Sequence, residues 1–279
     1  MRSKDFIFKT LPSGDLKFIG EFEEFYKFDD DPWQQSGNDG EMSTYYKWSR
    51  ERLLQRLDPE KNDKILEVGC GLGFLTKLIS DKFPSTICDG TDISKTAVNK
   101  ASKFFPELTF FHGDICSKKF KVSRKYDFIL LSQILWYIVE SFPVVINNCN
   151  QSLNENGKLI ITQAFLKQPQ RYARDIVDGF FGLEQYLIKN LPNSLNISLL
   201  DYDSKNDFVH HDGIVIINKD KNMYLILVRC NSNKLIKFHL GLFLLLASIN
   251  EIRLIKCLSY ILACSSAFKY IWLLCAPIL

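Results

Sequence analysis

The sequence predicts an α/β fold in which a doubly wound, mostly parallel, seven-stranded sheet is covered by helices on both faces. Two observations lead to this prediction. Between residues 61 and 220, short apolar runs alternate with segments of helical period, and strands separated in this way by helices form parallel sheets with right-handed crossovers. A turn rich in glycine, residues 69–73, directly follows the first apolar run.

Each predicted strand is a short apolar run bounded by polar or turn residues. The seven runs are residues 64–68, 85–93, 108–115, 126–132, 157–165, 196–202 and 213–218. The helical segments between them are residues 74–83, 94–105, 134–153 and 170–189. Ser94 is suited to cap the second of these helices, and Pro143 interrupts the third.

The flanks of this core have a different character. Residues 1–60 are aromatic and acidic, and they predict mostly loop with one helix over 43–57. Residues 221–279 form an apolar extension with runs at 239–249 and 257–279. The first run is shorter than the roughly 20 residues that span a membrane, and the second contains Lys269.

Three interpretations of the extension stay open: interfacial helices that bring residues 231–279 to a membrane, a cover or dimer contact for the core, and a disordered or non-native tail. The strand-like residues 223–229 complicate its border, because they are predicted to pair with residues 213–218.

Composition limits the partners and the compartment. The net charge of +3, without a dense Lys/Arg block, argues against a nucleic-acid partner. The eight cysteines form no CxxC pair and no metal-ligand spacing, which predicts free thiols in a reducing compartment. The first residues lack a long apolar run, so a cytoplasmic protein is expected, with membrane association only through the extension. The oligomeric state stays open.

The glycine turn predicts a ligand site. In a doubly wound sheet, ligands bind at the carboxyl ends of strands, where this turn lies. Its GxGxG spacing, with Phe74 where a dinucleotide fingerprint has glycine, matches neither that fingerprint nor a Walker loop. Glu67, two residues before the first glycine, would repel a pyrophosphate and suit a cationic ligand.

The ordered motifs resemble those of class I S-adenosylmethionine-dependent methyltransferases, which have a Rossmann-like fold. Motif I of that family is matched by the acid and the glycines of the turn, Glu67, Gly69, Gly71 and Gly73. The resemblance implies further cofactor contacts at the next strand ends: Asp92 with Ile93 at the ribose, Asp114 with Ile115 at the adenine, and Ser132 with Gln133 after the fourth strand. It also implies S-adenosylmethionine as cofactor and S-adenosylhomocysteine as product.

The segment before the glycine turn resembles a subgroup that includes nodulation-type N-methyltransferases. Asp31, Pro32, Trp33, Tyr45 or Tyr46, and Arg50 carry this resemblance. It implies a lid in which Arg50 binds the methionine carboxylate, and in which Trp33, Tyr45 and Tyr137 are candidate substrate contacts. The subgroup often has Glu at the position of Gln133, and this departure weakens the case for an amine acceptor.

A hydroxyl acceptor needs a general base, whereas a neutral amine needs less help. The candidate bases are His112, at the end of the third strand, and His210 and His211, on a loop between the last two strands. No metal is expected, because the fourth-strand exit offers only Glu140.

The function expected is methyl transfer to N or O of a small molecule, foremost a sugar or glycan precursor. The alternatives are a methyltransferase for a quinone or lipid-like acceptor and a non-catalytic cofactor-binding protein.

Overall fold

A computed structural model describes residues 3–36, 41–205, 207–208, 210–219, 225–229 and 235–239. Within these ranges the strands are β1 (Phe8–Thr10), β2 (Leu16–Phe18), β3 (Lys64–Val68), β4 (Ile87–Asp92), β5 (Thr109–His112), β6 (Tyr126–Ser132), β7 (Leu153–Leu166), β8 (Leu195–Asp203), β9 (His210–Lys219), β10 (Leu225–Arg229) and β11 (Leu235–His239). The α-helices are α1 (Phe22–Phe28), α2 (Glu41–Leu54), α3 (Phe74–Lys82), α4 (Lys95–Phe104), α5 (Leu135–Ile138), α6 (Phe142–Ser152) and α7 (Gly179–Asn190).

The main sheet has the strand order β11-β10-β8-β9-β7-β6-β3-β4-β5. Strands β5, β4, β3, β6 and β7 are mutually parallel, and β9 runs antiparallel between β7 and β8. The chain first builds outward from β3 to β5 and then returns to β6 on the other side of β3. The predicted doubly wound, mostly parallel, seven-stranded core is therefore confirmed by β3 to β9, and the order reverses between β3 and β6.

The central strands are mostly buried because helices cover both faces of the sheet. In β6, Leu130 and Leu131 are 1% and 0% exposed and belong to the two separate cores on opposite faces. The N-terminus of α4 is capped as predicted, because the Ser94 hydroxyl accepts a hydrogen bond from the backbone N–H of Ala97 at 3.1 Å.

Two predicted elements differ from the structure. The helix expected over 170–189 begins only at Gly179, because Ala173 has a φ of +52°, which breaks the helical path before it. The strand-like segment 223–229 forms β10, but it pairs with β8 rather than with β9. The predicted pairing was wrong because β9 already has a neighbour on each edge, β7 and β8.

The N-terminal region contains more regular structure than the loop predicted for it. Strands β1 and β2 form a small antiparallel sheet, and α1 follows directly. The domain boundaries placed at residues 60 and 220 stay predictions.

The apolar runs at 239–249 and 257–279 lie outside the described residues, except for residue 239, where β11 ends. The three interpretations of the extension rest on these runs, so they also lie outside the described residues. None of the helices described above has the length and apolar character needed to cross a bilayer.

We predict that Leu131→Ala lowers the free energy of unfolding by about 2–5 kcal/mol, because it removes buried methyl groups and leaves a cavity beside β3. Urea denaturation measures the change. Ile188→Ala, at a position on α7 that is 49% exposed, is the matched control and should change stability by less than about 0.5 kcal/mol. Equal effects of the two substitutions would contradict the central place of β6 in the core.

Candidate active site

A cleft opens at the carboxyl edge of the sheet, where the strand order reverses between β3 and β6. The cavity within it has a volume of about 100 Å³. Its walls come from the residues that end or follow four strands, Gly69 after β3, Asp92 ending β4, Asp114 after β5 and Ser132 ending β6. The place of the cleft is therefore set by the topology of the sheet.

The glycine turn directly follows β3, and its first glycine, Gly69, lines the cleft. Gly71 has a φ of +54°, and a Cβ placed there would lie 2.5 Å from the Tyr26 hydroxyl oxygen. Gly73, with a φ of +80°, is the N-cap of α3, so the free N–H groups of that helix begin at the turn. A side chain at either position would meet a neighbouring aromatic ring or hydroxyl.

Asp92 connects this turn to the end of β4. Its carboxylate oxygens accept hydrogen bonds from the backbone N–H groups of Gly71, at 2.9 Å, and Ser94, at 2.8 Å. Burial raises the pKa of Asp92, and these two hydrogen bonds oppose the shift. Each oxygen keeps a lone pair for another donor, and the side chain lines the cleft.

A smaller side cavity adjoins the cleft and is lined by Glu67, Arg50, Gln35 and Tyr46, among others. Glu67 is 4% exposed. Burial raises its pKa to about 7, although the hydroxyl of Thr76 and the charge of Arg50 oppose the shift. Arg50 lies over the Tyr46 ring and donates to the carbonyl oxygen of Gln35 at 3.3 Å. The side cavity thus holds one acid and one guanidinium.

Helix α1 is held over the cleft by polar contacts with α4. Glu23 accepts hydrogen bonds from the Ser94 hydroxyl at 2.8 Å and from the Thr96 backbone N–H at 3.1 Å. Burial opposes ionisation, but the hydrogen bonds from Thr96 and Ser94 outweigh it and lower the pKa of Glu23 to about 2. At the other end of α1, Lys100 donates to the carbonyl oxygen of Tyr26 at 2.8 Å.

Aromatic rings from the N-terminal region pack with Tyr137 and Tyr172 beside the cleft, and the rings of Phe22, Trp33 and Tyr137 line it. We call this cluster the aromatic roof, and its members are Phe8, Phe18, Phe22, Trp33, Tyr137 and Tyr172. The β1–β2 hairpin is fastened to the segment after β7, because Arg171 donates to the carbonyl oxygen of Gly14 at 2.7 Å and Leu16 N–H donates to the carbonyl oxygen of Arg171 at 2.8 Å.

Most sequence-predicted residues lie around this space. Those lining the main cleft are Trp33, Gly69, Asp92, Ile93, Asp114, Ile115, Ser132, Gln133 and Tyr137, and those lining the side cavity include Arg50 and Glu67. Gly71 and Gly73 form the turn below it. Their roles as ligands stay predictions.

Tyr45 requires a correction. It was expected to touch substrate, but it is 2% exposed and its hydroxyl donates to Asp212 at 2.8 Å. Helical period explains the difference, because Tyr45 lies on the face of α2 that meets Asp212, whereas Tyr46 and Arg50 line the cavities. Ser49 lies between these faces, since it donates to Asp212 and also lines the side cavity.

Of the candidate bases, His112 ends β5 as predicted, and only the place of His210 and His211 requires correction. The role of all three as bases stays a prediction. His112 is exposed, and its Nε2 lies 3.0 Å from the carbonyl oxygen of Ile93. His210 and His211 stand in β9 rather than on a loop, opposite residues of β7, and His211 contacts the Tyr202 hydroxyl. None of the three lines the cleft or the side cavity. Among the described residues, no three His, Cys, Asp or Glu side chains come together as a metal site requires.

Sequence reasoning missed Glu23, Tyr26, Gln35 and Asp212. A signal existed for Tyr26, since Phe22 and Tyr26 stand four residues apart on one face of α1 and both line the cleft. No local pattern marks Asp212, whose partners lie more than 150 residues away in sequence.

Comparisons with known proteins add to this geometry. A family model described as a methyltransferase domain matches residues 40–185. Ribosomal RNA small subunit methyltransferase C of Erwinia tasmaniensis is 27% identical over 145 residues, which are 50% of this chain and 41% of that protein. Malonyl-[acyl-carrier protein] O-methyltransferase of Priestia megaterium is 31% identical over 100 residues, 35% of each chain. The chain therefore spans less than half the length of these curated relatives.

Among solved structures, N-methyltransferase NodS of Bradyrhizobium japonicum, in complex with S-adenosylhomocysteine, matches with a TM-score of 0.51 and 18% identity. The match covers 68% of this chain and 93% of that one. At this identity the similarity shows a shared fold.

We predict that Glu67→Gln removes part of the pH dependence of stability. The raised pKa means that the folded state keeps a proton which the unfolded chain loses near pH 4.5, so stability falls as the pH rises from about 4.5 to 7. The Gln variant should lack this fall, which is worth roughly 3 kcal/mol at most. Urea denaturation at several pH values measures it, with exposed Glu51→Gln as the control. Parallel pH profiles for the wild type and Glu67→Gln would refute the assignment.

Proposed function

This chain belongs to the methyltransferase domain family, and from that premise we propose that it transfers a methyl group from S-adenosylmethionine to a small molecule. The family predicted from the ordered sequence motifs is confirmed. We further propose a sugar or glycan precursor as the acceptor. One observation supports the proposal above the others: Gly69 of the glycine turn, Asp92 and Asp114 all line one cleft, together with the paired rings of Trp33 and Tyr137.

The residues of the cleft fit this cofactor. Asp92 keeps lone pairs toward the cleft that suit two ribose hydroxyls, and Asp114 lies at the next strand end, where an adenine amino group is expected. Ile93 and Ile115 supply apolar surface beside them. Arg50, in the side cavity, suits a carboxylate. When bound, the sulfonium supplies an already activated methyl group.

The aromatic roof supports a small acceptor. The β1–β2 hairpin packs its Phe8 and Phe18 rings on Tyr137, which lines the cleft. Trp33 and Tyr137 both line the cleft, with ring centroids 5.6 Å apart. Such rings offer apolar surface for a sugar ring and polar tips for its hydroxyls.

The chain's contribution to catalysis is proposed to be orientation and exclusion of water. None of the three candidate histidines lines the cleft, so the proposal assigns no general base to them. Holding an acceptor atom in line with an activated methyl group supplies most of the rate enhancement that such a transfer needs. A neutral amine fits this arrangement, because its proton leaves after the transfer.

We predict that Asp92→Asn weakens binding of S-adenosylhomocysteine at least tenfold, about 1.4 kcal/mol, because an amide replaces one acceptor oxygen with a donor. Isothermal titration calorimetry measures the affinity. Asp81→Asn, whose side chain is 60% exposed on α3, is the matched control and should bind like the wild type. Unchanged affinity in the Asp92 variant would remove the ribose role of this residue.

We expect Tyr137→Ala to raise the acceptor KM at least tenfold while cofactor affinity stays the same, because the ring lines the acceptor side. Transfer of a radiolabelled methyl group to amino sugars, neutral oligosaccharides and a hydroxyquinone identifies the acceptor. Phe181→Ala, at a position that is 62% exposed, is the control. Methylation of the quinone alone would favour the lipid-like alternative, and cofactor binding without any turnover would favour the non-catalytic one.

A further inference from the structure

Asp212 is a buried carboxylate that the proposed chemistry does not use. It stands in β9 and is 0% exposed. One carboxylate oxygen accepts hydrogen bonds from the hydroxyls of Tyr45, at 2.8 Å, and Ser49, at 2.9 Å, and the other oxygen accepts from Arg52. All three donors belong to α2, so Asp212 fixes one face of that helix to β9.

Gln133 meets the same two hydroxyls from the end of β6. Its side-chain N–H₂ donates to Ser49 at 3.1 Å and to Tyr45 at 3.3 Å, and its carbonyl oxygen accepts from Ala164 N–H at 2.8 Å. Although Gln133 lines the cleft, its amide is occupied by these partners. The backbone of Gln133 has a φ of +61°, which lies in the left-handed region.

The direction of these hydrogen bonds is fixed. Each hydroxyl has one hydrogen, and both hydrogens go to Asp212, so each hydroxyl accepts from its other neighbour. An amide at position 133 can donate, whereas a carboxylate cannot. A glutamate at this position would place two carboxylates around two hydroxyl hydrogens in a buried site, which leaves acceptors unpaired.

From this network we infer that Gln133 and Asp212 are matched positioning residues, which hold α2 so that Tyr46 and Arg50 face the cofactor cleft and its side cavity. This inference rests on the proposed function only for the identity of the ligand. Arg52 extends the attachment to β8, because it also contacts Asp201 at 3.1 Å. Tyr46 and Arg50 therefore take their position from the contacts that their neighbours Tyr45 and Ser49 make with Asp212 and Gln133.

A double-mutant cycle tests the pairing. Exchanging the acid and the amide between positions 133 and 212 reverses the direction of the hydrogen bonds that these two side chains make with the Tyr45 and Ser49 hydroxyls. Gln133→Glu leaves the network without a donor at position 133, and Asp212→Asn removes an acceptor from position 212. In the double variant, the carboxylate introduced at position 133 accepts from both hydroxyls, while the amide introduced at position 212 donates to them. The readouts are hydrogen exchange of the α2 amides, affinity for S-adenosylhomocysteine, and the melting temperature.

Each single variant should speed exchange in α2 and weaken binding at least tenfold, and the double variant should recover both to within about threefold of the wild type. Additive losses in the double variant, or single variants that change neither readout, would overturn the inference. Because Ser49 also lines the side cavity, the readout for Ser49→Ala is hydrogen exchange alone: the variant should speed exchange in α2, and unchanged exchange would also count against the inference. If wild-type protein binds no S-adenosylhomocysteine, the proposed function fails, while exchange in α2 still tests the network.

Discussion

The cleft depends on one buried carboxylate, Asp92, which joins three segments at the carboxyl edge of the sheet. Its oxygens accept from Gly71 in the glycine turn and from Ser94 at the start of α4, and the Ser94 hydroxyl in turn donates to Glu23 of α1. Because a buried charge is costly without hydrogen bonds, these donors must hold their places. The glycine turn, the end of β4 and α1 are therefore coupled through a few contacts.

Three buried acids around the site are accommodated in different ways. Asp92 receives backbone N–H donors, and Asp212 receives hydroxyls and the guanidinium of Arg52. Glu67 has Thr76 as a donor and Arg50 nearby, and its pKa stays raised to about 7. Carboxylates in this state are common where a fold keeps a site for a ligand at some expense of stability.

The N-terminal region shows how tertiary contacts create structure that local pattern does not predict. A hairpin with three residues in each strand is not stable alone in water. Here its rings pack on Tyr137 and Tyr172, and Arg171 fastens its turn. Aromatic pairs contribute about 0.5–1.5 kcal/mol each beyond burial, so the roof and the cleft wall stabilise one another.

By itself, the sequence determined the sheet, the glycine turn and the strand ends that carry Asp92 and Asp114. Strand, turn and helix signals are local in the sequence, and parallel strands bring their carboxyl ends to one edge of the sheet. Only the tertiary structure decided that Tyr46 rather than Tyr45 faces the cleft, that His210 and His211 lie in a strand, and that the Gln133 amide is occupied by α2 and β7. These outcomes depend on partners 30 to 170 residues away, and hydrogen-bond direction between distant groups leaves no periodic mark in a sequence.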